Sequence, residues 1–168
     1  PLAQRVFVSP EGYYKTAYLM TQYGKDIAGY NAAHGTHYAS WSEVHLAQRA
    51  PAETAARKDW EVFIREILNL LWIEPDTAAL AKYRDYVFIR YGGDISAVNK
   101  AYFTNFTKQE EIDFKLLHSC NQTALADFNS YLQGWRNPVD GKFYQLPLDN
   151  IQVTGIDFLF REYLKRKY

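Results

Sequence analysis

One stretch of this chain is written twice. "YGKDI" at residues 23–27 returns as "YGGDI" at 91–95, and the 68-position shift holds without a gap from Tyr18 to Trp60. Tyr18 falls on Tyr86, Asp26 on Asp94, Asn31 on Asn99, Thr36 on Thr104, Glu43 on Glu111, Asp59 on Asp127 and Trp60 on Phe128. The apolar partners agree as well: Ile27 with Ile95, Val44 with Ile112, Phe63 with Tyr131. A third start stands near the C-terminus, where Tyr163 and Tyr168 keep the spacing of Tyr18–Tyr23 and Tyr86–Tyr91. Internal repetition at such a period means that each copy is one small unit burying its apolar face against its neighbours. The expected organisation is a single helical domain with repeats at about 9–72 and 76–135, a loop at 135–150 and the start of a third unit at 154–168.

Each copy reads as helical. "ALAKYRDYVFIRY" (79–91) repeats apolar residues at three and four spacings, so one face is buried and Lys82, Arg84 and Asp85 face outward. Pro75 and Asp76 suit its start. Gly92 suits the left-handed residue that closes it, with Arg90 near the last carbonyls. The doubled phrase is then a helix stop followed by a helix start: Tyr23 and Tyr91 end a buried face, Gly24 and Gly92 turn, and Asp26 and Asp94 cap the next helix. Asn31 and Asn99 belong to the same corner. Ser40-Trp-Ser-Glu43 and Thr107-Lys-Gln-Glu110 fit the capping-box pattern, the second one position out of register. Longer helices are predicted over 51–72, opening at Pro51, and over 121–135, and Ser9 caps a first helix from Pro10. Strand patterning is nearly absent, since "IQVTG" (151–155) alone is too short to make a sheet. The fold class expected is all-α: two tandem multi-helix units plus the first helix of a third.

Charge narrows the partners. The 19 basic and 19 acidic residues balance without a basic stripe, so neither nucleic acid nor an anionic membrane surface is an expected partner. No apolar run approaches the roughly 18 residues of a membrane span, and the N-terminus lacks a signal-peptide pattern. A soluble segment is expected. A lone Cys120 excludes an internal disulfide framework.

No constellation of catalytic residues stands out. His34, His37 and His45 fall close together, but "HGTH" straddles a turn and the second copy has Tyr102, Asn105 and Asp113 there, so polar loop histidines are expected and no metal or cofactor. Glu43/Glu111 and Asp59/Asp127 come in matched pairs, which favours caps and surface bonds over one asymmetric active site. Aromatic residues are 17% of the chain, 14 of them tyrosine. Those recurring by unit are expected in the core. Trp41, Tyr102, Trp135, Phe143 and Tyr144 do not recur as aromatics or lie outside the repeat, and are the candidate partner or sugar contacts. The loop at 135–150, rich in turn residues, is the expected contact surface.

The segment "YRDYVFIRYGGDISAVNKAYFTNFTKQEEI" resembles one found in two families. The matching residues are Tyr86, Tyr91, Gly92, Ile95, Asn99, Thr104, Phe106 and Ile112, and in the first copy Tyr18, Tyr23, Gly24, Ile27, Asn31, Thr36, Tyr38 and Val44. Bacterial β-galactosidases of the TIM-barrel type carry one copy as a helical insertion. Sugar-type ABC-transporter permeases, related to the maltose-system membrane subunits, carry tandem copies in a large extracytoplasmic insertion. The tandem arrangement is similar to the permease. That resemblance implies a non-catalytic domain on the periplasmic side of the inner membrane, whose partners are a solute-binding protein, the remainder of the permease, or a carbohydrate. The alternatives are an accessory segment of a glycoside hydrolase and a free-standing helical-repeat scaffold.

Overall fold

The computed structural model describes residues 9–119 and 121–167, so Cys120 and Tyr168 lie outside the described residues. The chain divides into two compact units, one of residues 1–74 with 152–168 and the other of residues 75–151.

Unit 1 opens where Gly12 N–H donates to Ser9 Oγ (3.1 Å), with Pro10 in the first turn where its missing N–H costs nothing. The helix runs as α1 (Pro10–Tyr13), widens to a π-helix over Tyr14–Leu19 and closes as α2 (Met20–Tyr23). Gly24 turns the chain at φ 90°, a value costly for any residue with a Cβ. Asp26 then accepts the Ala28 N–H (2.8 Å) and starts α3 (Ile27–His34). Asn31 Oδ1 accepts from Thr36 Oγ1 (2.8 Å) and Tyr38 N–H (3.0 Å), while Nδ2 donates to Tyr38 O (2.9 Å). A 3₁₀ turn at Trp41–Glu43 follows, with Glu43 reaching back to Ala39 N–H (3.2 Å).

The long helix expected over 51–72 is shorter. Glu53, not Pro51, caps it through Ala55 and Ala56; α4 covers Thr54–Val62 and continues as a π-helix over Phe63–Ile67. At Leu68 the backbone turns extended, and Asn69 accepts the Leu71 N–H (3.0 Å) to start a 3₁₀ turn at Leu70–Trp72. Local side-chain bonds thus end a helix that apolar periodicity alone would prolong.

In unit 2 a 3₁₀ turn capped by Asp76 leads into α5 (Leu80–Arg90); Asp94 accepts Ser96 N–H (2.8 Å) and starts α6 (Ile95–Tyr102). Asn99 makes the bonds Asn31 makes, to Thr104 Oγ1 (2.9 Å) and to the Phe106 N–H and carbonyl (both 2.8 Å). The partner of Thr107 is Glu111, not Glu110: it accepts Thr107 N–H (2.8 Å) and Oγ1 (2.9 Å), in register with Glu43. Asn121 caps α7 (Gln122–Gln133).

The chain is mostly helical, and all-α holds only approximately, because the described residues also form two small antiparallel sheets. β1 (Ile73–Pro75) pairs with β4 (Ile151–Val153), so the apolar "IQV" finds a partner strand after all. The turn-rich stretch after α7 folds as a hairpin of β2 (Trp135–Arg136) and β3 (Phe143–Tyr144), with Trp135 opposite Tyr144. α8 (Ile156–Lys167) closes the described chain and belongs to unit 1: Asp157 accepts from Ser9 Oγ, Arg161 pairs with Glu11, and Phe158 is buried.

Leu19, Val44, Trp60, Phe63 and Ile64 are sealed in unit 1, and Val87, Ile112, Phe128, Tyr131 and Leu132 in unit 2. Each pair is separated by the same 68 positions. Burial of each large side chain is worth about 1.5–3 kcal/mol.

Candidate functional site

At the middle of each unit lies a buried carboxylate that hydrophobic periodicity does not announce. Asp59, on α4, is 4% exposed. It accepts from Tyr18 Oη (3.0 Å), from Tyr23 Oη (2.9 Å to Oδ2) and from His34 Nε2 (2.9 Å). Asp127, on α7, is equally buried and accepts from Tyr91 Oη (2.7 Å) and Tyr102 Oη (2.8 Å), with Arg90 Nε at 2.8 Å from Oδ1. Tyr86 Oη donates to the Asp127 carbonyl (2.9 Å). The reading of Asp59 and Asp127 as caps or surface bonds is therefore corrected. A buried carboxylate needs hydrogen-bond partners, and here two helices supply the donors in each unit, α1–α2 and α3 for Asp59 and α5 and α6 for Asp127.

These clusters hold protons in place. Burial, reinforced by the hydrogen bond to Asp59, pushes the Tyr23 phenol up to about 12. Burial likewise raises Tyr18, Tyr91 and Tyr102, again with the neighbouring carboxylate adding to it. The phenols stay neutral donors to their carboxyl acceptor, each tying its own helix to α4 or α7. Weaker acidity is the opposite of what proton transfer near neutral pH asks of a tyrosine.

The units differ in one partner of the carboxylate. Unit 2 has the permanent guanidinium of Arg90, whereas unit 1 has the imidazole of His34, at the position of Tyr102. His34 is thus no loop histidine: its side chain is 2% exposed, stacked on Tyr30 at 3.9 Å. His37 is exposed, and His45 Nδ1 meets Glu11 (3.1 Å). Among the described residues no three His, Cys, Asp or Glu side chains are placed to share a metal ion.

The expected contact residues separate into two groups. Tyr102 is 2% exposed and spends its hydroxyl on Asp127, so it is core, not a contact. Trp41 Nε1 donates to Lys25 O (2.7 Å) and its ring leans on Tyr30, so it braces the corner that holds Tyr23, Gly24, Asp26 and Asn31. Trp135, Phe143 and Tyr144 come together on the hairpin. Trp135 packs on Tyr86 (5.5 Å) with the Arg90 guanidinium over its ring, and Tyr144 is buried. Phe143 is left half exposed, above an open cleft also lined by Lys82, Asp85 and Lys142.

Sequence reasoning missed Phe103. It is 90% exposed and is the one non-glycine among the described residues with positive φ, 53°. In the first copy the matching position is Gly35, at φ 63°. A side chain in the left-handed region costs about 1–2 kcal/mol, and this one recovers none of it by burial. It overhangs an open cleft lined by Thr104, Leu116, Gln122 and Thr123. The mismatch of glycine with phenylalanine at the 68-position shift was the available signal. Beside that cleft Asn121 Nδ2 donates to Tyr102 O (2.7 Å) and its Oδ1 accepts the Ala124 N–H (3.0 Å) that caps α7.

Comparison with protein-family models, curated proteins and solved structures finds no match to this chain. No helix among the described residues is long and apolar enough to cross a membrane.

Proposed function

We propose that the chain is two copies of one helical module plus the first helix of a third, and that it acts as a non-catalytic docking domain. The specific reading is the extracytoplasmic domain of a binding-protein-dependent sugar ABC permease, on the periplasmic side of the inner membrane, that receives the solute-binding protein. Equivalent hydrogen bonds at Asn31 and Asn99, and at Glu43 and Glu111, support the module reading. The observation that carries the docking role is Phe103, an exposed aromatic side chain kept at a strained backbone position where the other copy has glycine. Strain retained without an internal contact argues for an external one. Phe143 offers a second exposed aromatic side chain. The permease itself rests on the resemblance of the tandem segment.

The test is surface plasmon resonance of the chain against the solute-binding protein of its own transport system, with calorimetric titration of maltooligosaccharides and galactosides as a parallel arm. Specific capture, weakened about tenfold or more by Phe103→Gly as for an interface anchor, is the expected result. Heat from a sugar without capture of the protein would make the domain a sugar binder instead. Capture indifferent to Phe103→Gly would remove Phe103 from the interface. Coding sequence on either side gives an independent answer: apolar runs of about 20 residues for a permease, alternating strands and helices for a barrel enzyme.

A further inference from the structure

α8 carries four large apolar side chains that stay exposed: Leu159 (73% exposed), Phe160 (59%), Tyr163 (54%, with Lys167 Nζ over its ring) and, at the margin, Leu164 (37%). Spacings of three and four residues link Leu159 to Tyr163 and Phe160 to Tyr163 and Leu164, so the four lie along one side of the helix. The opposite face anchors α8, through Phe158, the Asp157–Ser9 bond and the Arg161–Glu11 pair. The exposed face is therefore presented, not left over from a loose end.

The tyrosine register says what such a face is for. Aligning Tyr163 with Tyr18 and Tyr86 places Leu164 on Leu19 and Val87, and Phe160 on Lys15 in the first copy and Tyr83 in the second. In their own units Tyr18, Tyr86, Leu19, Val87 and Tyr83 are all at most 6% exposed. Packed against them is α4 with its π-helical continuation, or α7, each carrying an acid followed by aromatic side chains one and four residues on: Asp59-Trp60 with Phe63, and Asp127-Phe128 with Tyr131. Tyr14 meets Phe63 at 4.9 Å and Tyr86 meets Tyr131 at 4.9 Å.

We infer that the Leu159–Leu164 face of α8 is the docking surface for a further acid–aromatic helix, supplied by another module of the same kind. This rests on the module reading of the chain. The incoming aromatic side chains would cover Phe160 and Leu164, and the acid would take the Tyr163 hydroxyl. Charge agrees: Lys167 stands at the position from which Arg90 pairs with Asp127, and Lys165 and Arg166 make the same end of α8 basic. A second copy of this chain does not fit the role, because its own Asp59, Trp60, Phe63, Asp127, Phe128 and Tyr131 are already buried.

The test titrates the full chain into a fluorescent synthetic peptide with the sequence of residues 53–68, and repeats it with Asn in the peptide at the position of Asp59. Saturable binding that Phe160→Ser and Tyr163→Ser abolish, and that the Asn peptide weakens about tenfold, is the expected result. Both substitutions are at exposed positions, and circular dichroism of the variants checks that the chain stays folded. No binding by folded wild-type chain overturns the inference, as does dimerisation through α8 seen by sedimentation velocity. The module reading is checked separately: if it is wrong, Asp59→Asn and Asp127→Asn will not loosen corresponding helices, whatever the peptide does.

Discussion

Asp59 and Asp127 sit in similar clusters that differ in one partner, and that difference can be measured. Arg90 brings a permanent charge and a forked donor to Asp127, where Asp59 has the imidazole of His34. Asp127→Ala leaves a guanidinium and two phenols without their acceptor and is expected to cost about 3–5 kcal/mol in urea unfolding, as for a broken buried pair. Asp59→Ala strands no guanidinium and is expected to cost less; equal losses would contradict the assignment of Arg90 as the partner that sets the two clusters apart. At Phe103 the expectation runs the other way. Phe103→Gly relieves a left-handed side chain and should raise the stability of unit 2 by up to about 1 kcal/mol; a loss of that size would mean that Phe103 is structural. The two kinds of residue were unequally legible. Asp26 and Asp94 bond N–H groups two residues on, so their role is written locally. Asp59 bonds side chains 25 to 41 positions away, and a matched acid pair reads as a surface feature until burial is seen.

At the scale of elements, the pH dependence of the helices follows from their donors. The Tyr23 phenol is raised from its ordinary value near 10 to about 12 by burial and by Asp59. A raised folded value means stability fully present below the unfolded value and lost as pH rises through the folded one. Absorbance at 295 nm should thus show buried tyrosines ionising together with loss of helical circular dichroism between pH 10 and 12; ionisation well before helix loss would contradict the clusters. Glu11 behaves oppositely. Burial pushes its carboxyl up, but Lys15, His45 and Arg161 outweigh burial and hold it below its usual range. Its contribution is present above the ordinary carboxylate value and disappears as pH falls through the lowered one, so α8 should detach from α1 in acid before the core opens. Hydrogen exchange of α8 at pH 3 against pH 6 measures this. Helix starts were legible because caps are local. Helix ends were not: the run to Trp72 keeps its apolar period while Asn69 turns the chain, and β1 and β4 are each too short to be read without the other.

For the whole molecule, the repeat was the strongest signal because it needs no structural assumption, and residues 68 positions apart recur in like corner hydrogen bonds and like buried sites. It could not show that in each unit a buried acid holds the tyrosines of the preceding helices, nor that α8 would stand with its apolar face outward. The central claim is that each unit is closed by its own tyrosine–carboxylate cluster. Hydrogen–deuterium exchange of Asp59→Asn and Asp127→Asn, each beside the unchanged chain, tests it most directly. The account predicts faster exchange in α2, α3 and α4 for Asp59→Asn and in α5, α6 and α7 for Asp127→Asn. Exchange left unchanged in either set of helices would contradict it.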